Sequence, residues 1–167
     1  MNAVKFKSYA KVNFGLQIID KRPDKFHNIN TLFQEIDVCD IIELEKQDVG
    51  CDFSANVDWL KNDSSNLCVR AWEKFSKTFS IGGVSINLDK RIPKGSGLGG
   101  GSSNAASILK GLCRLYDINP SDEELVSIAI SLGADVPFFI KGGLQQASGI
   151  GEILTPLSGC IDGTYLL

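Results

Sequence analysis

Pro93-Lys94-Gly95-Ser96-Gly97-Leu98-Gly99-Gly100-Gly101-Ser102-Ser103-Asn104-Ala105-Ala106 puts five glycines in seven residues directly ahead of an alanine-rich run. Glycine reaches φ > 0 without strain and lets a ligand approach the backbone with no Cβ in the way. Ile108, Leu109, Leu112 and Leu115 then recur at the helical period, and Ser102 or Ser103 is the expected N-cap. A helix N-terminus carries unpaired N–H groups and the positive end of the helix dipole. The stretch therefore predicts an anion site, and the phosphate of a nucleotide is the first expectation.

Several patterns compete for this loop. The Walker sequence G-x-x-x-x-G-K-[ST] is absent, because no Gly-Lys-Ser/Thr occurs. Gly95, Gly97 and Gly100 satisfy G-x-G-x-x-G, and Asp117 lies at a suitable distance beyond. That fingerprint should follow a buried first strand directly, yet Asp89, Lys90, Arg91 and Pro93 intervene, and Asp117 reads as a helix end. A protein-kinase glycine loop should continue as a strand, whereas 105–115 reads as a helix. A flexible linker would not run straight into a capped apolar helix.

Outward from the loop, 84–88 reads as a strand leading in. Residues 66–79 read as a helix, with Leu67, Ala71, Phe75 and Phe79 on one stripe. Residues 4–19 alternate as one or two strands, 20–27 as a charged loop, and 31–37 and 40–46 as strands, while 47–62 is less regular. Ser121 and Glu124 form a capping box for a helix ending near Gly133. Residues 143–154 read as strands with a turn at 149–151. Strands first and helices later imply an α+β fold.

The 167 residues, 43% hydrophobic, suffice for one domain with a core. A net charge of −3 with interspersed signs argues against a nucleic-acid surface. Cys39, Cys51, Cys68, Cys113 and Cys160 are scattered, odd in number and without a C-x-x-C, which reads as reduced thiols in a cytoplasmic protein. A single histidine makes a zinc site improbable. No run approaches membrane-spanning length and the N-terminus lacks a signal-peptide pattern, so no membrane partner is expected.

The glycine loop resembles the ATP loop of the GHMP small-molecule kinases. Ala10-Lys11-Val12-Asn13, Arg22-Pro23-Asp24-Lys25-Phe26-His27, Leu132-Gly133-Ala134-Asp135-Val136-Pro137-Phe138-Phe139 and Gly149-Ile150-Gly151-Glu152-Ile153-Leu154-Thr155-Pro156-Leu157 are similar to the members acting on 4-diphosphocytidyl-2-C-methyl-D-erythritol. The resemblance implies a GHMP-kinase N-terminal domain (ribosomal protein S5 domain 2-like), with a mixed or antiparallel sheet packed on helices. It implies transfer of phosphate from ATP to the 2-hydroxyl of that cytidine diphosphate alcohol in non-mevalonate isoprenoid synthesis. ATP with Mg²⁺ is the implied cofactor, the metal ligands being unknown, and the setting a bacterial-type cytoplasm or a plastid. Another GHMP kinase substrate, such as homoserine or mevalonate, and a nucleotide-binding module without turnover stay open. Residues 163–167 read as a strand stopping mid-element. The implied division is 1–154 as the N-terminal domain and 155–167 as the start of a connection to a further domain. Oligomeric state is left open.

The resemblance also assigns residues. Asp135 is the implied base that orients the hydroxyl and accepts its proton; by spacing alone it is an ordinary helix cap. Lys11 is implied opposite it, balancing charge on the moving phosphoryl group; by pattern alone it is a solvent-facing lysine. Asn13, two residues on, shares its face. Phe26 and His27 are implied to stack on and hydrogen-bond the cytosine; tyrosine is common where Phe26 stands, and glycine where Lys25 stands. Pro93, Lys94, Gly95, Ser96, Gly97, Leu98, Gly99, Gly100, Gly101, Ser102 and Ser103 would cradle ATP phosphates, with Asn66 and Lys90 near the adenosine.

Overall fold

The computed structural model describes residues 1–163; the strand expected over 163–167 lies outside the described residues but for Gly163. The elements run β1 (Ala3–Lys21), β2 (His27–Gln47), β3 (Cys51–Ala55), α1 (Leu67–Phe79), β4 (Gly83–Asp89), α2 (Gly100–Tyr116), α3 (Asp122–Leu132), α4 (Val136–Lys141), β5 (Leu144–Ser148) and β6 (Ile153–Pro156).

β2 organises the sheet. It pairs antiparallel with β1 along nearly all of its length, while its other edge is shared by β4 over 41–47 and β5 over 31–34. β3 adds parallel to β4, and β6 antiparallel to β5. The sheet is therefore mixed, in the order β3-β4-β2-β5-β6 with β1 on β2. The expected α+β architecture holds. The short β3, in a stretch expected to be irregular, is an edge strand whose Asp52 and Ser54 interrupt any apolar run.

Two strands expected over 31–37 and 40–46 are one strand with a bulge between them. Tyr9 pairs with Cys39 and Ala10 with Ile36, so Asp37 and Val38 lack partners in β1. A bulge bends and twists the strands locally, and the inward-facing set differs on its two sides. Before the bulge, Phe6, Ser8, Asp40, Ile42 and Leu44 face the helices. Beyond it, Lys11, Asn13, Phe33 and Glu35 do, as their contacts with α4 and one another show.

One core lies between sheet and helices, built from Phe33, Ile42, Leu44, Val84, Ile86 and Leu88 against Phe75, Ile108, Leu109, Leu112 and Phe138. α2 lies so close to the sheet that a Cβ at Gly111 would meet Phe6 and Leu44 within 2.7 Å. α3 has the expected capping box, with Ser121 and Glu124 exchanging hydrogen bonds. The boundary drawn at residue 154 falls inside β6, because Thr155 and Pro156 pair with Gln146 and Gln145. No helix among the described residues is long and apolar enough to cross a membrane.

Candidate active site

The glycine loop, the start of α2 and the segment before α1 enclose a cleft of about 440 Å³. Trp59, Leu60, Asn66, Lys90, residues 93–102, Asn104 and Asp135 line it. Gly95, Gly97 and Gly99 all have positive φ. Gly99 is the most constrained: at φ +70°, a Cβ there would lie 2.8 Å from the Phe139 ring and 3.3 Å from Lys11 Cε. Leu98 is buried with Ala10 and Ile92, and its carbonyl accepts from the Lys11 N–H at 3.0 Å. The loop is thus tethered to β1 at its most glycine-rich point.

α2 begins three to four residues earlier than expected. Its N-cap is Gly99 rather than Ser102 or Ser103, and the first intrahelical bond runs from Ser103 N–H to the Gly99 carbonyl. The N–H groups of residues 100–102 precede that bond and have no carbonyl one turn back. Ser102 lines the cleft. Ser103 does not: its hydroxyl bonds the Tyr9 carbonyl at 2.5 Å and Ser8 Oγ at 2.7 Å, so no side-chain donor remains for a phosphate. The bury-and-bond demand of the α2–β1 contact takes it.

Lys11 and Asp135 meet. The Lys11 ammonium lies 3.6 Å from Asp135 Oδ2, donates to Asn13 Oδ1 at 2.6 Å, and sits 4.5 Å from the centre of the Phe33 ring. The lysine side chain is 6% exposed and the aspartate 37%. Lys11, beyond the bulge, is therefore no solvent-facing lysine. Asp135 occupies the N-cap position of α4 yet makes no side-chain cap bond, which leaves its carboxylate free toward the cleft. α4 itself is pinned at its far end. Gln145 Nε2 donates to the Phe138 and Gly142 carbonyls, and Lys110 Nζ to the Phe139 carbonyl.

Beneath the loop lies a network that sequence reasoning missed. Asp40 is fully buried and accepts four hydrogen bonds. Arg91 N–H and Ile92 N–H bond Oδ1 at 2.7 and 2.8 Å; Lys90 Nζ and Asn104 Nδ2 bond Oδ2 at 2.6 and 2.8 Å. Asn104 continues to Ser8 Oγ at 3.0 Å. The residues just before the loop and just after it are thereby held to β1 and β2. The available signal was a lone aspartate between apolar strand residues and an asparagine inside an alanine-rich helix.

Two adenosine candidates are already engaged. Lys90 lines the cleft, but its ammonium is bound to Asp40. Asn66 caps α1 by accepting from Cys68 N–H at 2.9 Å and donates to the Lys61 carbonyl at 3.0 Å. Trp59, not singled out from sequence, stands at the rim with Lys94 Nζ 4.9 Å from its ring centre.

Phe26 and His27 lie outside this cleft, at the far tip of the β1–β2 ribbon. Phe26 is 58% exposed. Lys25, where glycine was the expected residue, adopts φ +72°, so the tight turn keeps the left-handed conformation despite the side chain. Arg22 and Asp24 brace it, and burial plays no part there.

The profile of the family described as GHMP kinases N terminal domain matches residues 66–143, which include the glycine loop, α2 and Asp135. The fold is that of a GHMP kinase N-terminal domain. It is 44% identical over 98% of its length to a 4-diphosphocytidyl-2-C-methyl-D-erythritol kinase of Clostridium beijerinckii, covering 59% of that protein. It is 41% identical over 95% of its length to the protein of the same name from Alkaliphilus metalliredigens, covering 55%. A crystal structure of 4-(cytidine 5'-diphospho)-2C-methyl-D-erythritol kinase superposes with TM-score 0.82 at 39% identity, over 92% of this chain and 55% of that one. A homoserine kinase from Cytophaga hutchinsonii shares the fold at TM-score 0.69 and 19% identity. The chain spans about half the length of these relatives.

Proposed function

We propose that this chain is the ATP-binding and catalytic part of a kinase that phosphorylates the 2-hydroxyl of 4-diphosphocytidyl-2-C-methyl-D-erythritol. The observation that carries the reading is the Lys11–Asp135 pair on the wall of the glycine cleft, 3.6 Å apart, with the aspartate not used as a helix cap. The relatives of 40–44% identity bearing that kinase name supply the substrate.

The cleft suits a nucleotide in size and chemistry. The N–H groups at the start of α2 and the Ser102 hydroxyl point to where phosphates would lie, and Trp59 offers a ring face at the rim. Among the described residues no three carboxylate, histidine or cysteine groups converge as a metal cage. Mg²⁺ is usually held by one or two carboxylates plus substrate phosphates, and Asp135 and Ser102 provide that kind of donor set. Bound there, it would neutralise charge developing on the phosphates. Asp135 orients the substrate hydroxyl and takes its proton at the carboxylate. Lys11, buried and fixed by Asn13 and Phe33, stands beside Asp135 and balances charge on the transferred group. Phe26 and His27, on the ribbon tip, would meet the cytosine. The five thiols, all free, fit a cytoplasmic setting.

The test is ADP release with ATP, Mg²⁺ and the cytidine substrate, beside a control without it. Substrate-dependent ADP from this chain or a longer version of it supports the reading. Release with homoserine or mevalonate instead would replace the substrate, and none from the longer version would reject the kinase.

A further inference from the structure

Behind the cleft, across α2 from the glycine loop, two adjoining hollows of 140 and 190 Å³ lie along the edge strand β1. Lys7, Ser107 and Lys110 line both; Arg114 lines one and Lys141 the other. Four cations thus gather in a chain whose net charge is −3. None of the four makes a salt bridge among the described residues. Lys110 donates to the Phe139 carbonyl, and burial among these groups pushes its ammonium below the usual lysine range.

Ser107 is the more telling residue. It is only 5% exposed, and its hydroxyl makes no hydrogen bond among the described residues. A serine hydroxyl on a helix can bond a carbonyl one turn back. Here it opens into both hollows instead. The one carboxylate present, Glu35, is turned to the α4 exit, so close to Gly142 that a Cβ there would meet its Oε2. Burial raises the Glu35 carboxyl above its ordinary range, and Lys110 beside it opposes that rise.

We infer that this groove is an anion site, distinct from the cleft, that takes a phosphate or diphosphate group between Lys7, Lys141, Arg114 and the Ser107 hydroxyl. Neither hollow alone reaches the size of a nucleotide pocket, and charge-assisted contacts from several cations are the chemistry that holds a phosphate. The site does not depend on the kinase reading, since it shares no side chain with the Lys11–Asp135 pair.

The experiment is a titration of the full chain with inorganic pyrophosphate, followed by amide chemical shifts at constant ionic strength. Saturable shifts are expected at Lys7, Ser107, Lys110 and Lys141. In Lys7→Gln/Lys141→Gln their midpoint should move at least about tenfold higher, the loss of two charge-assisted contacts. Shifts in residues 99–102 report the cleft separately and should keep their midpoint. Ser107→Ala, which removes only the hydroxyl, should also weaken the groove signal. Shifts confined to the cleft, or a groove midpoint unmoved in both variants, would overturn the site. Tighter binding of hexaglutamate than of pyrophosphate would overturn the phosphate chemistry in favour of an acidic peptide.

Discussion

Asp40→Asn isolates the buried charge beneath the glycine loop. The amide is isosteric, and its Oδ1 can still accept from Arg91 N–H and Ile92 N–H. Its Nδ2 would then face Lys90 Nζ and Asn104 Nδ2, donors against a donor. The Lys90 side chain is 5% exposed, so its ammonium is left without an acceptor away from water. Breaking one side of a buried pair costs about 3–5 kcal/mol, and that is the expected loss. Lys90→Met should cost only about 1–2 kcal/mol, since Asp40 keeps three donors. Adding Lys90→Met to Asp40→Asn removes the stranded ammonium, so the double variant should be more stable than the sum of the singles by at least ~1.5 kcal/mol. Urea unfolding followed by Trp59 and Trp72 fluorescence gives all four stabilities. Additivity within about 0.5 kcal/mol would refute the claim that Lys90 is neutralised by Asp40.

Asp135→Asn should slow turnover by about 10²–10⁴ with little change in nucleotide affinity, and a near-normal rate would remove the carboxylate from its proposed role. Lys25→Gly should stabilise the ribbon turn by about 1 kcal/mol in thermal or urea melts, because a side chain at φ +72° is strained; an unstable variant would contradict that turn. Gly99→Ala should destabilise by about 2 kcal/mol or more and weaken ATP binding, read by Trp59 fluorescence, since the Cβ meets both strain and the Phe139 ring; wild-type affinity and stability would count against the loop geometry. Thiol labelling at pH 8 should modify exposed Cys160 first and leave Cys68 untouched until the chain unfolds. Burial pushes the Cys68 thiol up to about 12, so its thiolate is absent in the folded state. The folded form holds that proton longer than the unfolded form. This stability is therefore whole below the ordinary thiol value of 9 and is lost as pH rises from there toward 12.

Much of this protein was legible along the chain. The glycine loop, the period of α2, the Ser121–Glu124 box and the alternation in β4 are local patterns, and local patterns report local structure. The wide spacing of Lys11, Asp135 and the loop said nothing about their meeting; only the resemblance joined them. A lysine in a strand and an aspartate before a proline have ordinary roles that spacing cannot exclude.

Tertiary structure decided what the site is made of. At the bulge between β1 and β2 the inward face of the ribbon changes, and beyond it Lys11 lies in the core beside Asp135. No alternation within β1 alone encodes it, because the irregularity lies in how β1 pairs with β2. In the same way Ser103 is drawn off the phosphates by Tyr9 and Ser8, and Lys90 off the cleft by Asp40, partners 50 to 95 residues away in sequence. Side-chain identity and period determine which elements form; which polar groups are left unpaired for a ligand depends on what each meets when the elements close, and that is settled only by packing.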